Sequence, residues 1–345
     1  MPKIYVPKAD TGSNKPGKFV VPAHRKAYSY TRASGFEVFV LKPTIDRFSV
    51  TFDVNEAQQR VAIRKTLDQW CKSSDNLVGP WTKLKDWGSA KYSKSFAINC
   101  NPTAPVMLQL APEKTQKGGP SKLRYMRLDM NPSALGPDSM KALHQAIPKI
   151  TAGHVEYADI LAEGNITRFD IAVDIVNLDI EDVFIATKNP GKSHSYFSAV
   201  GKAETTYLGV TSKGSKLYVY DKKTQLAETG KKQPAPFFRQ AKWTRVEFRK
   251  QFEKPPAKLA SSHNPFKDIR LIDVEAPKLP VQPYVWNMFI DSCRYRGIEG
   301  ALKQVPSLFR KDFKAAILTS KDYVWKPEDL WGYWPETLKK SRILG

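Results

Sequence analysis

The sequence predicts an α+β fold built from a tandem duplication. Each copy is a helix-backed antiparallel sheet unit of ferredoxin or RRM-like kind, and a helical segment follows at the C-terminus. Three observations carry this expectation. IDRFSVTFDV at 45–54 resembles ITRFDIAVDI at 166–175, with Ile, Arg, Phe and Asp recurring in place at an offset of 121. Strand-like runs alternate apolar and polar residues, so residues two apart share a face. Between them lie stretches with apolar residues at helical spacing.

The same offset sets Gly88 on Gly209, SFAIN (95–99) on KLYVY (216–220), and LRYMRL (123–128) on TRVEFR (244–249). Each copy then reads as strand, helix, hairpin region and strand. In the first copy, Val61, Ile63, Leu67 and Trp70 predict a helix over 55–72. In the second, LDIEDVFIATK follows the strand, with Asp179 as a helix cap. Two helices are expected around 137–149 and 152–163. The boundaries are therefore a flexible basic arm at 1–34, a degenerate α+β copy at 35–136, a reactive copy at 137–272 and helices from 273 to 345. In that last region Trp286, Phe289, Ile290 and Cys293 fall on one helical face, and SLFRKDFKAAIL predicts another helix.

Composition narrows the partner. The chain has 345 residues, 41% hydrophobic, with 14 Tyr, 17 Phe and 8 Trp, enough for a sizeable core. Its 55 basic residues against 34 acidic ones give +21. Such a charge repels itself unless a polyanion neutralises it, and nucleic acid fits best. No apolar run reaches membrane length, and a membrane partner is not expected. Three scattered cysteines give neither a disulfide framework nor a metal motif, which fits a reducing cytoplasm. The first twenty residues carry charges and prolines where an export signal needs an apolar core.

The candidate chemistry lies on the polar faces of three strands. On 166–176, Phe169, Ile171, Val173 and Ile175 share the apolar side, and Arg168, Asp170, Ala172 and Asp174 the other. TRVEFRK presents Arg245, Glu247 and Arg249, and SKLYVYDKK presents Lys216, Tyr218, Tyr220 and Lys222. If the strands are neighbours, Asp170, Asp174 and Glu247 converge beside a tyrosine. Three unpaired carboxylates would raise one another's pKa, and a divalent magnesium or manganese ion would relieve that repulsion. The alternative is that each acid pairs with Arg168, Arg245 or Arg249. At the repeat offset Asp170 becomes Ser49, Glu247 becomes Met126, Tyr220 becomes Asn99, and Asp174 alone persists as Asp53. The first copy thus keeps fold signals and lacks the reactive set.

RFDIAVD, then TTYLGVTSKGSKLYVYDK, then TRVEFR resembles the Rep-trans type of rolling-circle replication initiators of bacterial plasmids and filamentous phages. The likeness spans about 166–250 and extends into FIDSCRYRGIEGALKQVP. It implies a site-specific DNA nickase and strand transferase in a bacterial host cytoplasm. Asp170, Asp174 and Glu247 would hold the metal. Tyr220, followed by Asp221 and Lys222, would attack DNA to leave a 5'-phosphotyrosine, with Tyr218 the second choice. Metal and Lys222 would lower the tyrosine pKa. Arg168, Arg245, Arg249, Lys222 and Lys223 would follow the phosphates of single-stranded or hairpin origin DNA. A host helicase and polymerase are the implied partners, and a homodimer is an assembly that family members adopt. Nickases with paired histidines on a strand are excluded, because His24, His144, His154, His194 and His263 are isolated.

Other signals compete with this reading. The basic stretch 227–243 could grip a hairpin or be a plain connection. ATKNPGKS (186–193) loosely fits a phosphate loop, but no strong helix start follows it. The competing function is a non-catalytic DNA- or RNA-binding replication regulator on the same scaffold. A pure binder has no use for three acids beside a tyrosine.

Overall fold

The computed structural model describes residues 21–70, 82–84, 92–98, 100–101, 104–112, 124–187, 194–199, 201–208, 215–230, 242–250, 252–275, 279, 281–319 and 324–345. Residues 1–20 of the expected arm, 231–241 of the basic stretch and 188–193 of the loose phosphate-loop match lie outside them.

The strands are β1 (Lys26–Thr31), β2 (Glu37–Leu41), β3 (Thr44–Phe52), β4 (Thr82–Leu84), β5 (Tyr92–Ile98), β6 (Val106–Pro112), β7 (Met126–Met130), β8 (Asn165–Val176), β9 (Val183–Thr187), β10 (His194–Phe197), β11 (Ala203–Leu208), β12 (Lys216–Asp221), β13 (Trp243–Lys250) and β14 (Ile269–Asp273). Among the described residues twelve of them form one sheet, in the order β10-β11-β12-β13-β8-β3-β7-β6-β5-β4, with β1 and β2 joined to β8. This order is a mirror. Reading outward from the centre, β3-β7-β6-β5-β4 repeats β8-β13-β12-β11-β10. The two copies share one sheet, back to back through the antiparallel β3–β8 ladder.

The repeat explains the seam. Phe48 and Phe169 occupy the same repeat position and face each other across that ladder, rings 6.2 Å apart and edge to face. A residue paired with its own equivalent marks a local two-fold axis. Both are buried in the main core, beneath helices α3 (Pro137–Ile150) and α4 (Tyr157–Glu163), which follow the single turn of α2 (Pro132–Leu135). The helical spacing placed those two helices well. In α1 (Ala57–Trp70), Ile63 and Leu67 are buried as expected, but Val61 faces solvent.

Three expectations need correction. LDIEDVFIATK does not form a helix. Asp179 caps one 3-10 turn over Ile180–Asp182, and the β-branched run after it forms β9. Strand β14 supplies its hydrogen bonds in a separate two-stranded sheet. The segment up to residue 34 is not free throughout. Strand β1 pairs with β2, and buried Arg32 donates from Nε to Asp273 at 2.8 Å. The C-terminal helices divide between two cores. Helices α6 (Pro283–Gln304) and α7 (Ser307–Thr319) build a second core with β9 and β14, through Trp286, Phe289, Ile290, Cys293 and Phe313. Gly297, at φ 70°, kinks α6 where a side chain would be strained. Helices α8 (Pro327–Gly332) and α9 (Trp334–Ser341) return to the main core, where Trp334 meets Phe169. No described helix is long and apolar enough to cross a membrane.

Candidate functional site: the polar face of the second copy

With α3, α4 and α9 on the apolar face, the polar residues of β8, β13 and β12 share the opposite one. Strand β13 sits between the other two. Its register puts Arg249 beside Asp170 and Lys216, Glu247 beside Ala172 and Tyr218, and Arg245 beside Asp174 and Tyr220. The three strands are therefore neighbours, as the site required. Asp170 is 1% exposed, and Asp174, Glu247, Arg245 and Tyr220 are all buried.

Hydrogen bonds divide these residues into two groups. In the first, Arg245 donates from Nε and Nη2 to Asp174 at 2.6 and 2.8 Å, and the Trp243 indole donates to the same carboxylate at 2.8 Å. Arg245 also reaches Asp46 at 3.0 Å. In the second, Asp170 accepts from Arg168 Nε at 3.0 Å and from Arg249 Nε at 3.2 Å. Arg249 Nη2 donates to Glu247 at 3.2 Å, and its Nη1 to the Tyr218 hydroxyl at 3.0 Å. The Tyr220 hydroxyl donates to Glu247 Oε2 at 2.8 Å.

The three carboxylates are not assembled into one ligand set. The described residues contain no cluster of three His, Cys, Asp or Glu that could hold a metal. Each acid instead takes an arginine, the alternative left open above. Asp174 is committed to Arg245 and Trp243, as a buried ion pair must be if it is not to cost several kcal/mol. Asp170 and Glu247 differ, since they share one half-exposed arginine. Burial raises the Glu247 pKa, and Asp46 and Asp170 push it further. The oxygens of Asp170 and Glu247 are hard ligands of the kind a divalent cation takes.

Tyr220 also departs from expectation. Burial holds its hydroxyl pKa far above the ordinary value, and the pull of Arg245 does not offset that. The hydroxyl is a neutral donor to a carboxylate here, not a phenolate. Tyr218 is half-buried, and its pKa is raised by burial despite Arg249. Lys222 is not on a strand. Strand β12 stops at Asp221, whose carboxylate caps helix α5 (Lys222–Glu228) by accepting from the Lys223 and Thr224 amides at 2.9 and 3.3 Å. This turn folds Lys222 back, with its ammonium 5.5 Å from the Tyr220 ring and bonded to Gln225. Burial, with Arg245 beside it, brings the Lys222 pKa down to about 8.

Of the phosphate-binding candidates, Arg168 and Arg249 keep about a quarter to a third of their side chains exposed, at 26% and 30%. Arg245 is buried and unavailable to a ligand. Lys223 lines a separate shallow cleft with Lys202 and Lys242. Asp46 escaped sequence reasoning. It sits at a bulge in β3, where the register shifts between Ile45 and Arg47. The bulge re-aims it toward Arg245. The signal was present as the Asp in IDRF where the second copy has Thr167, but alternation alone gave no reason for Asp46 to join this face.

The ladders also correct the residue equivalence between copies. Ser49 pairs with Asp129 where Asp170 pairs with Arg249. Counting along β7 and β13 then matches Arg127, not Met126, with Glu247. One strand further out, Gln109 pairs with Arg127 as Tyr218 pairs with Glu247, which matches Ala111, not Asn99, with Tyr220. The constant offset of 121 therefore fails beyond the first strands, and the counterpart of KLYVY in β12 is β6, not SFAIN in β5. The conclusion drawn from that offset stands, since the first copy lacks the tyrosine and the acid.

No family model matches the chain. Replication initiation proteins from Staphylococcus aureus are 29% identical over 102 residues, a stretch covering 30% of this chain and 29% of each relative. The chain thus matches under a third of those proteins' length. A rolling circle replication initiator protein from Geobacillus stearothermophilus is similar in structure over 76% of this chain and 99% of its own. Its TM-score is 0.36 at 15% identity, too distant to transfer a site. Over the matched stretch the chain is similar to bacterial replication initiation proteins.

Proposed function

We propose that this chain starts rolling-circle replication by nicking and rejoining one DNA strand at an origin. The observation that carries this reading is the 2.8 Å hydrogen bond from the Tyr220 hydroxyl to Glu247, with Lys222 beside the ring. A nucleophile bonded to a base is the arrangement that covalent catalysis requires. As the Tyr220 oxygen attacks phosphorus, its proton passes to Glu247, whose raised pKa makes it a stronger base. The new bond is tyrosine oxygen to phosphorus, and the bond broken is phosphorus to the 3' oxygen. Lys222, with a pKa of about 8, can protonate that leaving oxygen near neutral pH. The phosphodiester energy is kept in the tyrosine link, so the break can be resealed, and the freed 3'-hydroxyl can prime a host polymerase. Asp170, with the Glu247 Oε1 that is not bonded to Tyr220, would hold a magnesium or manganese ion, which would supply positive charge against the phosphate oxygens. Asp174 belongs to the fold. Arg168 and Arg249 would hold the strand.

The test uses a supercoiled plasmid carrying the cognate origin, with magnesium or manganese. A relaxed circle with protein on its 5' end is expected. Tyr220→Phe should abolish the covalent product and keep binding, and Asp170→Ala should lose cleavage more than affinity. If Tyr218→Phe loses the product and Tyr220→Phe does not, Tyr218 is the nucleophile. If neither matters, nicking is excluded.

A second reading is a non-catalytic DNA- or RNA-binding regulator. It is favoured by the burial of Tyr220 and by arginines on every acid of the face. Binding of the origin without any cleavage would select it.

A further inference from the structure

The polar face carries a row of tyrosines that begins at Tyr218, already bonded to Arg249 of the acid cluster, and runs outward to the sheet edge. Tyr196 on β10, Tyr207 on β11 and Tyr218 on β12 lie on successive strands. Ladder register puts Tyr207 directly beside Tyr218, and Tyr196 beside Thr205, two residues from Tyr207 on the same face. The rings touch edge to face, Tyr196 to Tyr207 at 5.3 Å and Tyr207 to Tyr218 at 4.8 Å. Arg249 closes the row, 4.7 Å over the Tyr218 ring. The row therefore runs from the sheet edge to the arginine that contacts Asp170 and Glu247, one residue pair away from Tyr220.

Cross-strand aromatic pairs can serve stability alone. Two observations point elsewhere. Tyr196, the outermost ring, is 52% exposed, the most of the three. Its neighbours on β10 behave differently. Phe197 stacks on Tyr295 of α6, and Ser195 bonds to the Arg294 carbonyl, so the opposite face of β10 is the packed one. The first copy gives the second observation. At the positions of Tyr218 and Tyr207 it has Gln109 and Ser95, both buried and bonded to each other at 3.2 Å. The same sheet position is thus filled without aromatic rings in the copy that lacks the tyrosine and acid.

We propose that Tyr196, Tyr207 and Tyr218 form a stacking platform for the bases of single-stranded DNA, leading the strand along the sheet toward Tyr220. Rings that offer π-faces bind any base, and adjacent arginines take the phosphates. The rings are in contact with one another, so bases would lie over the row and not between its members. This deepens the nickase reading and rests on it for the direction of the strand, but the platform itself needs no cleavage.

The experiment measures affinity of the full chain for a fluorescent oligo-dT by anisotropy, without divalent ion, across a range of salt. Tyr196→Ala should weaken binding about tenfold, the order expected for one lost base stack. Tyr196→Phe should stay within about twofold of the parent. The slope of log affinity against log salt should not change, because no phosphate contact is removed. Tyr207→Leu should act like Tyr196→Ala, and Tyr207→Phe should rescue it even if Tyr207→Leu loosens the sheet. Duplex DNA of the same length should be bound equally by parent and Tyr196→Ala. Parent-like dT binding by both Tyr196→Ala and Tyr207→Leu overturns the platform, as does an equal loss on duplex. Tighter binding of oligo-U than of oligo-dT overturns the DNA assignment. Loss of dT binding in Tyr196→Ala, in a chain that never forms a covalent product, would keep the platform and reject the nickase.

Discussion

The two copies of the sheet show what the second gained. Both keep the seam phenylalanines, Phe48 and Phe169, and both bury an apolar face under helices. Their polar faces diverge. In the first, Arg47 donates to Asp129 at 2.8 Å, and Arg127 donates to Asp129, Ser49 and Gln109. One acid there satisfies two arginines. In the second, Arg168 and Arg249 meet two acids, Asp170 and Glu247, and a tyrosine hydroxyl adds to Glu247. The first face is a closed polar network. The second sets two acids against two arginines around a tyrosine hydroxyl, with the Glu247 pKa raised by burial and by Asp46 and Asp170. The first copy keeps the architecture with one acid between two arginines, and the second has a further acid and a tyrosine hydroxyl on the same face.

The largest effect should come from the centre of the difference. Tyr220→Phe removes only a hydroxyl, yet covalent attachment to origin DNA should fall below detection on a denaturing gel. The next test concerns what the copies share. Phe48→Ala and Phe169→Ala should each cost about 3–5 kcal/mol in urea unfolding, since each opens a cavity at the seam. Unequal losses beyond about 2 kcal/mol would argue that the seam is not symmetric in energy. The repeated acid separates the copies again. Asp174→Ala strands a buried guanidinium and should cost about 3–5 kcal/mol. Asp53, its repeat partner, is exposed and accepts from the Tyr125 amide, so Asp53→Ala should cost about 1 kcal/mol or less.

Lys222 gives a pH test. Its pKa in the folded chain is about 8, below the ordinary 10.5. Below pH 8 both states carry the charge, and the folded state bears the cost of burying it. Between pH 8 and 10.5 the unfolded chain binds more protons, so this group makes stability rise with pH. Lys222→Met should flatten that rise, read as the difference in urea midpoint between parent and variant. A difference that stays constant from pH 7 to 10.5 would show that Lys222 titrates normally. The smallest effect belongs to the first copy. Gln109→Ala breaks a buried bond to Ser95 and should cost about 1–2 kcal/mol while leaving oligo-dT affinity unchanged.

Much of the fold was legible because its signals are local. Alternation in ITRFDIAVDIV fixed which side of β8 is core, and apolar spacing placed α1, α3 and α4. The segment 179–187 misled, because a short apolar run fits helix and strand alike until a partner is known. Strand β14, more than 80 residues later, is that partner. The site was legible as a set of residue types on adjacent strands. Which acid pairs with which arginine was not, because it depends on reach across a ladder. Asp46 shows the limit most clearly, since only the bulge in β3 turns it to the reactive side.

The sequence alone determined the repeat of the first strands, the apolar side of each strand, the basic net charge and the tyrosine beside acids. These follow from periodicity and charge, which are properties of the chain itself. Tertiary structure decided that the two copies share one sheet through their first strands, that Asp174 serves Arg245 and Trp243, and that three tyrosines form one row. Those depend on strand order and register. They arise when non-local ladders form, and no short stretch of sequence contains them.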